Sequence, residues 1–189
     1  MAIPKLEIDH AACFIIDVQE RIVTEMHEPG KLIQGNVFLA HLATNLKLPI
    51  VITEHVKRVF GPTVPQIAQA LPPDTAVYQK TYFSACTDDV RKWLTATGRR
   101  DIIVGGIEAH ICVLQTTLDL LAAGYRVWLL TDAISGGEIS QVDPSIQRMT
   151  RCGAIPTGCV SAAYELMKHG DHPAFKSCLT LVKDLRQTR

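Results

Sequence analysis

Residues 102–121 narrow the possible folds more than any other stretch of the chain. They open on Ile102-Ile103-Val104, apolar and β-branched, the composition of a strand buried on both faces. Gly105-Gly106 follows, as expected where a buried strand gives way to a tight turn. Beyond the turn, Val113, Leu114, Thr117, Leu118 and Leu121 recur at helical spacing, which predicts a helix starting near Cys112. Strand, glycine turn and helix in so short a span form the repeating unit of parallel α/β sheets. The pattern sets Cys112 beside a helix N-terminus, where unpaired N–H groups and the helix dipole favour a thiolate. The competing reading is a small buried hydrophobe, a frequent role of free cysteines. Nothing within the stretch decides between the two.

The same alternation runs through the rest of the chain. Ala11-Ala12-Cys13-Phe14-Ile15-Ile16 is a continuous apolar run ending on Asp17-Val18-Gln19, and the carboxyl ends of such strands carry the sites of open sheets. Asp17 is therefore a candidate functional carboxylate, against the reading of a turn or capping aspartate. A helix is predicted over 35–46, closed off by Pro49, then a strand over Ile50-Val51-Ile52. Residues 56–75, with Gly61, Pro62, Pro65, Pro72 and Pro73, read as a long irregular loop of the kind that walls a binding site. Val77-Tyr78-Gln79-Lys80 is a short extended piece. Lys80 lies among Tyr78, Tyr82 and Phe83, which suggests either a partly desolvated ammonium or a lysine laid over those rings. A helix over 87–97 has Thr87 as its N-cap and Gly98 past its end. A strand over 126–130, a loop over 131–137, a helix over 144–152, a short strand over 154–157 and helices over 160–169 and 173–189 complete the reading. The expected architecture is an α/β fold with a mostly parallel central sheet covered on both faces.

A chain of 189 residues, 47% hydrophobic, is expected to form one domain over 1–189. Its 19 basic and 19 acidic residues cancel, and no basic stripe gives electrostatic support for nucleic-acid binding. The N-terminal residues lack a signal pattern and no apolar run reaches membrane-spanning length, so a soluble, cytoplasmic protein is expected. The six cysteines form no CxxC pair, and in a reducing compartment they read as free thiols, Cys13 and Cys178 as structural ones.

Asp17, Lys80 and Cys112 each follow a strand or extended segment, and a base, a cation and a nucleophile are the parts of acyl transfer through a thioester. No nucleotide-binding glycine fingerprint, P-loop or GxSxG elbow is present. Ile15-Ile16-Asp17-Val18-Gln19, Gln79-Lys80-Thr81-Tyr82-Phe83-Ser84, Gly106-Ile107-Glu108-Ala109-His110-Ile111-Cys112-Val113 and Thr131-Asp132-Ala133 together resemble the isochorismatase-like cysteine hydrolases. The likeness covers nearly the whole chain and is strongest to the isochorismatase-domain-containing proteins.

That resemblance implies a three-layer α/β/α, Rossmann-like fold with a catalytic triad of Asp17, Lys80 and Cys112. It also implies a cis peptide at Ile107–Glu108 and an oxyanion hole from the backbone N–H groups of Glu108 and Cys112. Lys80 and the helix N-terminus would stabilise the Cys112 thiolate, and Asp17 would act as base. The nicotinamidases of this superfamily hold a metal through an Asp-x-His and a later His. Here Thr53-Glu54-His55 leaves one histidine, so no metal and no other cofactor is expected. Isochorismatases proper lack the cysteine, so Cys112 argues against vinyl-ether hydrolysis. The expected activity is metal-independent cleavage of a small amide or related C–N bond, with a small-molecule substrate, no membrane or nucleic-acid partner and a homo-oligomeric state. The alternative is a catalytically idle fold serving as an oligomeric interaction module.

Overall fold

The computed structural model describes residues 3–187. Its strands are β1 (Ala11–Ile16), β2 (Ile50–His55), β3 (Ala76–Lys80), β4 (Asp101–Gly106), β5 (Arg126–Ile134) and β6 (Ile155–Thr157). Its α-helices are α1 (Pro29–Leu46), α2 (Lys57–Phe60), α3 (Pro65–Ala70), α4 (Asp88–Thr97), α5 (Leu114–Ala122), α6 (Ile139–Arg151), α7 (Cys159–Met167) and α8 (Phe175–Gln187). The strands form one sheet in the order β3-β2-β1-β4-β5-β6, with every neighbouring pair parallel. The chain winds outward from β1 to β3, then returns to add β4 on the other side of β1. This reversal opens a crevice at the carboxyl ends of β1 and β4, the place where open α/β sheets bind ligands.

The continuous apolar runs follow from the layering. Successive side chains of a strand point to opposite faces, and here both faces are covered. Cys13, Ile15, Ile52, Ile103 and Leu130 pack toward Phe38, Leu39 and Leu42 of α1 and Leu166 of α7. Ala12, Phe14, Ile16, Val104 and Leu129 pack toward Leu94 of α4, Leu120 of α5 and Met149 of α6. The result is a three-layer α/β/α fold.

Several boundaries differ from the sequence reading. Helix α1 begins at Pro29 rather than residue 35; Pro-Gly reads as a turn, yet a proline at the first helical position loses only an N–H that has no partner there. Residues 56–75 are not irregular throughout, because α2 and α3 lie within them, α3 again starting on a proline. Helix α6 starts at Ile139 and carries Pro144 inside it instead of starting there. Strand β5 runs on to Ile134, because a register shift between Val104 and Gly106 keeps it paired to the end of β4. The helix expected near Cys112 begins as a π-helical turn, Ala109–Val113, before α5. Helix α4 has the expected caps: the Thr87 side chain accepts from the Val90 N–H, and Gly98 adopts φ 65°. The last helix, α8, agrees with the tail reading, of which residues 188 and 189 lie outside the described residues. Among the described residues no helix is long and apolar enough to cross a membrane. The cysteines are free thiols, buried except for Cys152.

Candidate active site

Ile16, the last residue of β1, pairs with Thr53 of β2 on one side and Gly106 of β4 on the other. The next residue, Asp17, therefore leaves the sheet between the ends of β2 and β4. It turns away with φ 55°, a left-handed conformation that aspartate tolerates better than most side chains. Room for this exit depends on Gly106, where a Cβ would lie 2.3 Å from the Ile16 carbonyl oxygen. Lys80 ends β3, two strands from β1, in register with His55. Its side chain reaches past the end of β2 until Nζ lies 2.6 Å from Asp17 Oδ2. Cys112 comes from the other direction, on the π turn after β4.

The Asp–Lys pair is closed off from solvent, with the Lys80 side chain 0% and the Asp17 side chain 5% exposed. Burial of two charges is tolerable only when their remaining hydrogen-bonding capacity is met. Much of it is met here: Thr53 Oγ1 donates to Asp17 Oδ1 at 2.8 Å, and Lys80 Nζ donates to the carbonyls of Tyr82 (3.1 Å) and Phe83 (3.0 Å). The ammonium is thus surrounded by two carbonyl acceptors and the ion-paired Asp17 carboxylate. Lys80 is shielded from water, as one of the two sequence readings held, and its ammonium donates to main-chain carbonyls of the aromatic segment rather than resting on its rings.

Cys112, 6% exposed, is close enough to Asp17 and Lys80 for both to act on its thiol. Its pKa does not fall as the sequence reading expected. Burial, and after it the negative charge of Asp17, push it up to about 12, while Lys80 pulls in the opposite direction and is outweighed. Burial and the charge of Asp17 thus favour the neutral form of the thiol. The Ile107–Glu108 peptide is cis, as the resemblance implies. The Glu108 carbonyl accepts from the N–H groups of Ile111 (3.1 Å) and Val113 (3.0 Å), on either side of Cys112.

These groups open into a cavity of about 140 Å³ walled by Ile22, Phe60, Phe83, Ile107 and Ile111, with His55, Gln19 and Glu108 on its border. Residues 56–75, read as a loop that walls a binding site, contribute Phe60 to this lining. The His55 ring sits between those of Phe60 (centroids 5.8 Å apart) and Phe83 (5.5 Å). Desolvation there, and then the charge of Lys80, lower its pKa. Among the described residues no group of three or more His, Cys, Asp or Glu side chains is placed to hold a metal ion.

Two contributors escaped the sequence reading. Thr53 orients the Asp17 carboxylate; its only signal is a polar residue at the carboxyl end of an apolar strand. Gln19, fully buried, spends its amide on the main chain around the cavity. Its Nε2 donates to His55 O (3.1 Å) and Gly61 O (2.6 Å), and its Oε1 accepts from the His55 N–H (2.7 Å). That holds His55 and the segment bearing Phe60 in place.

A doubly wound parallel sheet with a buried Asp–Lys pair and a thiol at its switch point places the protein in the class of α/β/α hydrolases with isochorismatase-like architecture. Comparison with known proteins gives the family. The isochorismatase domain model matches residues 11–159. The secreted isochorismatase effector Isc1 of Phytophthora sojae is 34% identical over 175 residues, covering 90% of this chain and 83% of that protein. Isochorismatase family protein 1B of Dictyostelium discoideum is 30% identical, covering 96% and 90%. A structure from Caenorhabditis elegans named MAR1 ribonuclease superimposes with a TM-score of 0.92 at 31% identity, covering 95% and 93%. The chain belongs to the isochorismatase family and is a hydrolase of that superfamily.

Proposed function

We propose that this protein is a metal-independent cysteine hydrolase cleaving a small amide or related C–N bond through a thioester on Cys112. The observation that carries the reading is the Lys80 Nζ–Asp17 Oδ2 pair, 2.6 Å long, buried beside the Cys112 thiol, which borders the cavity. Sγ attacks the substrate carbonyl carbon as its proton passes to Asp17, so no standing thiolate is needed. The Lys80 charge steadies the sulfur as it becomes anionic. The tetrahedral oxyanion rests on the backbone N–H groups of Glu108 and Cys112, donors of the kind worth roughly 2.7–4 kcal/mol each. Asp17 returns the proton to the leaving nitrogen, the C–N bond breaks, and an amine and a thioester remain. Water then gives a proton to Asp17 while its oxygen adds to the thioester; the C–S bond breaks, the acid leaves, and the thiol recovers its proton.

The cavity, close to the roughly 150 Å³ that holds a benzene ring, suits a compact apolar acyl group. The relative from C. elegans is named a ribonuclease, but apolar walls and a formal net charge of zero support a small molecule over a polyanion here. Free thiols throughout support a cytoplasmic location. Val59, Val77, Tyr82 and Phe83, exposed along the β3 edge, support a homo-oligomer. The test is a panel of small amides assayed for ammonia or amine release, with Cys112→Ala as control. Release by the wild type alone, with an acyl adduct on Cys112 by mass spectrometry, is the expected result. Equal release by both proteins overturns the thioester, and no release by either favours the idle interaction module.

A further inference from the structure

The Glu108 carboxylate and the Gly136-Gly137 pair are unused by the chemistry described so far, yet they meet. Glu108 Oε2 accepts from the Gly137 N–H at 2.9 Å, and His110 Nδ1 lies 3.5 Å from the same oxygen. Both side chains are 16% exposed. The missing side chain at Gly136 is what admits them: a Cβ there would lie 2.8 Å from Glu108 Oε2 and 3.2 Å from His110 Nδ1. The main chain reinforces the contact on both sides. The Ala109 N–H donates to Ser135 O (2.9 Å) and the Ser135 N–H to Gly106 O (3.3 Å). The strap is itself anchored elsewhere, since the His27 N–H donates to Gly136 O (3.0 Å) and Ser135 Oγ donates to His27 O (2.7 Å).

From this clasp we infer that Glu108 is a positioning residue. Its carboxylate fastens the turn carrying the Glu108 and Cys112 N–H groups to the loop after β5, and His110 packs the clasp shut. A charge-assisted hydrogen bond to a backbone N–H is among the stronger kinds, and here it fixes the residue whose own N–H faces the reacting carbonyl. Donor placement matters most when charge develops, so the clasp acts on turnover more than on substrate binding. The inference rests on the proposed amide hydrolysis, and its test is built to fail separately from that reading.

Three variants are compared with the wild type: Glu108→Ala removes the acceptor, Glu108→Gln keeps one, and Gly136→Ala drives the carboxylate off while leaving Glu108 intact. With an amide from the panel, Glu108→Ala and Gly136→Ala should lower kcat by roughly 10–10²-fold with KM nearly unchanged, and Glu108→Gln should recover most of the loss. Backbone hydrogen exchange over residues 106–113 should quicken in the same two variants and not in Glu108→Gln. Unchanged exchange in Glu108→Ala overturns the clasp, and faster exchange with unchanged kcat overturns its role in turnover. If the wild type releases nothing from any amide, the proposed activity fails and exchange alone decides the clasp.

Discussion

Cys13 and Cys112 sit on adjoining strands' elements, are almost equally buried, and have almost nothing else in common. Cys13 is 0% exposed in the middle of β1, facing the α1 layer, and desolvation alone raises its pKa. Cys112, 6% exposed, is also raised by burial, but Asp17 and Lys80 act on it with opposite signs. Burial by itself makes a thiol inert. Burial beside a carboxylate and a cation is the arrangement we propose as a proton-transfer unit, its thiol silent at rest and reactive toward a bound carbonyl. The difference lies not in the cysteines but in position: one is inside the sheet, the other is at the switch point where β1 and β4 part.

The comparison can be broken most directly by deleting each sulfur. Cys112→Ala should cut amide turnover by roughly 10⁴-fold or more while the thermal midpoint barely moves. Asp17→Asn is the sharper probe because two effects separate. Turnover should drop roughly 10²–10⁴-fold through loss of the base. Yet iodoacetamide should label Cys112 faster than in the wild type at pH 8, because removing the negative charge lets the thiol pKa fall from its raised value. Slower labelling would show that Asp17 does not hold the thiol pKa up. Lys80→Met leaves a buried carboxylate without its partner and should cost about 3–5 kcal/mol in a urea titration. It should also shift the pH dependence of Cys112 labelling further upward, since Lys80 opposes the other two influences. The smallest effect belongs to Cys13→Ser, which places a hydroxyl in the core and should cost about 1–3 kcal/mol in stability with kcat unaffected. Loss of activity in that folded variant would deny the division between the two thiols.

Much of this was readable from particular residues. Ala11–Ile16 announces a strand buried on both sides, and Thr87 and Gly98 bracket α4, because burial period and cap chemistry are local signals. Where local signals conflict, the reading slipped. Pro29 and Pro144 are turn-formers that the structure places inside helices, and β5 continues through Thr131-Asp132 because β4 remains beside it. The π turn under Cys112 has no sequence period of its own. At the site, Asp17, Lys80 and Cys112 could be marked as candidates by residue type and strand end and joined by the family resemblance, whereas Thr53 and Gln19 could not, since their contacts exist only relative to distant parts of the chain.

By itself, the sequence determined the alternation of strands and helices, the two-faced burial of the sheet and the three residues whose chemistry complements one another. Those properties depend on side-chain type and on spacing of a few residues, so they survive without knowledge of the fold. Only the tertiary structure decided that Lys80 Nζ donates to the carbonyls of Tyr82 and Phe83, that burial and Asp17 push the Cys112 thiol up, and that Glu108 Oε2 accepts from the Gly137 N–H. Each of these is a balance of desolvation against contacts between segments far apart in the chain. No local pattern carries such a balance.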